Sequence, residues 1–148
     1  MTAQKIKPHR EFFKINLDAL SNQVSSWVTV PDTQGMIEEQ ILADNLDNMK
    51  KTGSRTRIAR WKPGALIAKE VIHDFYEEVF IAQGSLVVGC DAQGLGGEEF
   101  SAFTFACRPP EIFHGPFISH EGCIMLEFQY YDSIITEQPK PSTQNDLV

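Results

Sequence analysis

From Trp27 to Tyr131 the chain is a succession of short apolar segments, each stopped by a turn signal, with no long amphipathic helix between them. Segments rich in Val, Ile and Phe read as strands over residues 36–42, 56–61, 66–73, 77–82, 86–90, 100–107 and 123–131. Pro63-Gly64, Gln83-Gly84, the glycines of 94–97, Arg108-Pro109-Pro110 and Glu121-Gly122 punctuate them as turns, and the polar run 44–53 reads as a loop. Many short strands without intervening helices specify an all-β sandwich or barrel. Periodicity alone does not choose between the two.

At 148 residues the chain is long enough for one domain with a substantial core. Its net charge of -7 and pI of about 5.0 argue against a nucleic-acid surface, which requires a basic face. No apolar run approaches a membrane span, and the first residues alternate charged and apolar positions rather than forming a leader. Cys90, Cys107 and Cys123 are odd in number and widely spaced, which fits buried thiols in a reducing compartment. A cytoplasmic protein is the expectation. The expected organisation is an N-terminal extension over 1–26, with a short helix near 17–23 capped by Asn16, a barrel over 27–136, and a disordered tail over 137–148 rich in Pro, Ser, Gln and Asn.

Two clusters carry chemistry, His73-Asp74-Phe75-Tyr76-Glu77-Glu78 and the segment from Pro109 through His114 to Phe117. On an extended chain side chains alternate faces, so His73 and Glu77 point the same way and Glu78 the opposite way. His114 arrives from a later part of the chain. Two imidazoles and a carboxylate meeting inside a barrel form a donor set for a divalent transition metal, Fe, Mn, Ni, Co or Zn, with positions left open for a substrate. The alternative for His73 alone is a core histidine tied to a backbone carbonyl. Arg57 and Arg60 face opposite ways on one strand, and Arg57 is the candidate anion clamp in the cavity. Lys69 shares the parity of His73, and Phe103 and Phe117 are expected core aromatics that line the same cavity; with Arg57 these are the candidate substrate-binding residues.

These residues resemble the two motifs of the cupin superfamily. The first reads as glycine, a gap, two histidines one residue apart, glutamate and glycine; here Gly64, His73, Glu77 and Gly84 hold those places. The second ends in a proline and a histidine, matched by Pro109 and His114. The resemblance covers roughly residues 27–131 and is nearest to small single-domain members, the ChrR-type sensor domains and relatives of acetylacetone-cleaving dioxygenase. It implies a double-stranded β-helix, or jelly roll, with an N-terminal helical or extended segment, and His73, Glu77 and His114 as metal ligands and catalytic residues. The chain departs from the pattern at the first histidine, where it has Val71, so one imidazole of the family set is missing.

The expected function is therefore that of a small enzyme acting on a carbonyl- or enol-containing molecule, metal-dependent, with oxygenase, lyase or decarboxylase chemistry. A metal-free isomerase, epimerase or cyclase using a His/Glu acid–base pair is the first alternative, and a non-catalytic metal or ligand sensor the second. Val79 and Ile81 share the parity of Glu77 while Phe80 and Ala82 face away, so both faces of this strand are apolar and a homodimer is expected to cover the outer one.

Overall fold

A computed structural model describes residues 6–19 and 27–132. Its strands are β1 (Val28–Thr29), β2 (Ile37–Asp44), β3 (Ser54–Trp61), β4 (Ala65–Ile67), β5 (Tyr76–Val88), β6 (Glu98–Ser101), β7 (Thr104–Arg108), β8 (Phe117–Ser119) and β9 (Cys123–Tyr130), with no helix among the described residues. All pairings are antiparallel, in the order β1-β2-β3-β9-β5-β8-β4, with β6 and β7 both added to β5. The sheet curls on itself, and the all-β expectation holds.

The curl depends on β5. Its first half pairs with β7 and β9, and its second half with β6 and β8. A register shift between Ile81 and Gln83 bends the strand where it passes from one set of partners to the other. Gly84 follows with φ +77°, and a Cβ there would lie 2.0 Å from the carbonyl oxygen of Gly122. The expected turn at Gln83-Gly84 is therefore a bend inside one long strand. Glycine is required because the neighbouring backbone occupies the space of a side chain.

Alternation then sorts the side chains. Ile37, Ala59, Trp61, Val79, Ile81, Leu86, Phe117 and Met125 form one buried cluster inside the curl. A smaller cluster of Val87, Cys90 and Ile118 lies elsewhere. The reading of 100–107 as one strand is corrected: Ala102 and Phe103 form a turn, with Phe103 at φ +66°, between β6 and β7. The parity of β7 then sends Phe105 and Cys107 outward, so Phe103 is 83% exposed and Phe105 58% exposed rather than core. Phe113 is exposed as well, and Cys107, unlike buried Cys90 and Cys123, is an exposed thiol.

The expected strand over 66–73 is shorter than its composition suggests. After Ile67 the chain leaves the sheet across the exposed Lys69-Glu70 pair, and the Val71 backbone exchanges two hydrogen bonds with His114, at 2.8 and 2.9 Å, in an isolated bridge between two loops. Leu17 and Asp18 form a turn in which the Asp18 N–H donates to Asn16 Oδ1; the rest of the expected helix, beyond Ala19, lies outside the described residues, as does the tail over 137–148. Arg60 faces outward, pairs with Glu38, donates to the carbonyls of Leu17 and Ala19, and covers the Trp27 ring, fastening the N-terminal segment to the sheet. No helix among the described residues is long and apolar enough to cross a membrane.

Candidate metal centre in the barrel

One end of the curl is a cavity of about 290 Å³ whose apolar walls include Trp61, Val79, Leu86, Phe117 and Met125. Its polar side chains come from several strands and two loops. Glu77 opens β5 facing inward, Arg108 is its cross-strand partner on β7, and Gln129 its partner on β9. Arg57 projects from β3 opposite Glu127 of β9. His73 and His114 come from loops, before β5 and before β8, joined through the Val71–His114 backbone pair and by a hydrogen bond from the Glu111 N–H to the His73 carbonyl.

The three ligand atoms of His73, Glu77 and His114 lie within 4.8 Å of one another. His73 Nε2 is 3.8 Å and His114 Nε2 3.9 Å from Glu77 Oε1. Each imidazole is oriented from behind by a backbone carbonyl: His73 Nδ1 lies 2.8 Å from Phe75 O, and His114 Nδ1 3.1 Å from Ile112 O. A carbonyl only accepts, so Nδ1 carries the proton and Nε2 presents a lone pair. His73 Nε2 is buried without a hydrogen-bond partner. Three acceptor atoms thus converge, and Arg108 donates to the shared Glu77 Oε1 at 3.1 Å. Such a donor set fits a divalent cation, and carbonyl-anchored imidazoles are what oriented metal ligands need.

The surroundings shift the ionisation of Glu77 and His114. Burial opposes a charge on Glu77, but the His73 ring, the Gln129 amide at 2.9 Å and Arg108 at 3.1 Å outweigh it and hold the carboxyl at about 2. Burial, helped by Arg108, lowers the pKa of His114 and keeps it neutral. Arg57 contacts Glu127, reaches Glu39 at 3.1 Å and lies 3.9 Å from Glu77. Desolvation pushes Glu127 up to about 7, and the nearby Glu77 and Glu39 charges add to this against the pull of Arg57.

Of the candidate substrate-binding residues, Arg57 and Phe117 line the cavity. Two are corrected. Lys69 is exposed on the loop after β4 and does not line it, because the chain has left the strand whose parity aimed it inward. Phe103 is on the turn outside the barrel. His120 is exposed in the turn before β9. Val71 does line the cavity, at the place of the missing imidazole. Arg108, Gln129, Glu39 and Glu127 were not singled out from the sequence. The parity of Met125 extended along β9 reaches Glu127 and Gln129, but Arg108 and Glu39 emerge only once strand register is fixed.

No family model and no curated protein matches the chain. Solved structures do. An RmlC-like cupin from Shewanella frigidimarina superposes with a TM-score of 0.54 over 84% of this chain and 94% of its own, at 15% identity. The fold is that of the cupins. Acetylacetone dioxygenase from Acinetobacter johnsonii gives 0.57 at 20% identity, covering 86% of this chain and 78% of that one. The Rhodobacter sphaeroides complex of SigE with the anti-sigma ChrR gives 0.52 at 17% identity, with 79% and 51% covered. The cupin fold thus brings an enzyme and a regulatory complex within similar distance of this chain, and its His/Glu/His group marks a possible metal site.

Proposed function

We propose that this cupin is a metal-dependent enzyme in which His73, Glu77 and His114 hold a first-row divalent ion beside a small substrate bearing carbonyl or enol oxygens. The observation that carries the reading is the convergence of two imidazole lone pairs and a carboxylate, with His73 Nε2 buried and unpartnered. A buried imidazole nitrogen without a partner is costly unless a donor or a cation joins it. When bound, the metal supplies Lewis-acid stabilisation of negative charge on the substrate oxygens and a place for oxygen chemistry.

The chain's own residues do the rest. The Phe75 and Ile112 carbonyls keep the two rings in one tautomer and orientation. Arg108 keeps the Glu77 carboxylate ionised, and Arg57 lies 3.9 Å from it, so guanidinium donors stand beside the place of an oxygen-rich head. Trp61, Phe117 and Met125 exclude water from it. Oxygenase, lyase and decarboxylase reactions share these needs.

One observation favours a second reading, a metal-free isomerase or epimerase. Arg108 already donates to Glu77 Oε1, so this carboxylate has a cation at hand, and Val71 withholds the further imidazole. In that case His73 or His114 is the general base and Glu77 its electrostatic support. Elemental analysis of protein purified without chelators, with melting temperatures in the presence of Fe, Mn, Co, Ni or Zn, separates the two. Bound metal and a raised melting temperature support the first reading. No metal and no shift with any ion overturn it.

The chain acts as a homodimer in this reading. Phe80, Phe103, Phe105 and Phe128 form one outward apolar patch on β5, β7 and β9, with Phe80 and Phe103 in edge contact. A patch of this kind calls for cover.

A further inference from the structure

A second chamber of about 250 Å³ lies beside the first against β5, β6 and β7, with the exposed Phe105 at its edge. Val79, Leu86 and Arg108 line both chambers, so the partition consists of side chains projecting from two strands. Beyond it the walls are apolar: Val88, Phe100 and Ala106 are set by cross-strand pairing, with Leu86 opposite Phe100 and Val79 opposite Ala106. The Thr104 hydroxyl is spent on the Ser101 carbonyl, at 2.7 Å. At the junction Arg108 bonds Glu77 and lies over the Phe117 ring. The first chamber therefore offers charge and lone pairs, and the adjoining one offers almost nothing but hydrocarbon. A ligand filling both has to be polar at one end and apolar at the other.

We propose that the second chamber is a tail subsite, and that the substrate is a small amphiphile: an oxygen-bearing head at His73, Glu77 and His114, joined to a short uncharged alkyl or ring tail lying against Val88, Phe100 and Ala106. The position of the head rests on the metal reading given above. Arg108 at the junction selects against a cationic tail by repulsion. Ala106 is the residue that sets the depth, because a larger side chain there fills the chamber opposite Val79.

The test uses straight-chain hydroxamic acids, from acetohydroxamic to octanohydroxamic acid, titrated calorimetrically into the full chain with and without added Zn²⁺. Affinity is expected to rise about two- to fourfold per methylene, as burial of a CH₂ group gives, until the chamber is full. Ala106→Phe should flatten that slope, and Val88→Ala should move the plateau to a longer chain, which keeps the test open if the bulky variant does not fold. A metal-loaded protein that binds acetohydroxamate but gains nothing with chain length overturns the tail subsite alone. A slope unchanged in both variants overturns it too, since the tail then lies elsewhere. A slope that appears equally without metal supports the subsite and overturns the metal reading. No binding of any member in either form overturns both.

Discussion

His73 Nε2 lies 3.8 Å from Glu77 Oε1 and has no hydrogen-bond partner, although it is buried. Its other nitrogen is committed to the Phe75 carbonyl, so the ring is not free to turn a proton toward the carboxylate. His114 repeats the arrangement at 3.9 Å. Two guanidinium groups share the carboxylate with the rings: Arg108 lies 3.1 Å from Glu77 Oε1 and Arg57 3.9 Å from Oε2.

Val71 occupies the place where the cupin motif has a further histidine, and it faces the cavity. Its backbone is held by the two hydrogen bonds to His114 whatever its side chain. Val71→His is expected to leave the fold intact and to raise metal affinity about tenfold or more by adding a direct ligand. Calorimetric titration beside the parent measures this; unchanged affinity would place the binding site elsewhere.

A pH dependence follows from Glu127. Its pKa stands at about 7 in the folded chain against an ordinary 4.5. Between these values the folded state holds a proton that the unfolded state has released, so stability falls as pH rises from about 4.5 to about 7. Glu127→Gln removes this ionisation. His114, with its lowered pKa, contributes in the opposite sense, so the change in unfolding free energy from pH 5 to pH 8, from urea titrations, is expected to be more positive in the variant than in the parent; the same signed change in both would show that Glu127 titrates normally.

Gly84→Ala tests the bend of β5. The new methyl meets the Gly122 carbonyl oxygen at 2.0 Å on a backbone at φ +77°. A loss of about 2 kcal/mol or more is expected, measured by denaturant unfolding. A loss below about 0.5 kcal/mol would mean that the strand bends differently.

The outer aromatic patch predicts a solution mass above the 16.7 kDa of one chain. Light scattering at micromolar concentration should show it, and Phe103→Ser with Phe128→Ser should shift the mass toward that of a single chain. A monomeric parent would remove the dimer from the account.

Much of this was legible in the sequence, for definite reasons. The alternation around Glu77 fixes which residues of β5 face inward, and Glu77, Val79 and Ile81 do so. The His73, Glu77 and His114 grouping is readable because the spacing of the motif survives the loss of one histidine. Parity failed where the chain leaves the sheet: Lys69 lies on a loop, and Phe103 sits at a positive φ that its side chain does not announce. Arg108, Gln129 and Glu39 depend on pairings between strands far apart in sequence, which alternation within one segment does not contain. In the sequence the bend at Gly84 looks like a turn because glycine serves both; only the approach of Gly122 distinguishes them.

The most direct test is a calorimetric titration of chelator-treated protein with Co²⁺, the parent beside Glu77→Gln and His114→Ala. The account predicts a single ion per chain in the parent and at least tenfold weaker binding in both variants, since each loses a direct ligand. Equal binding in all three proteins, or none in the parent, would contradict it.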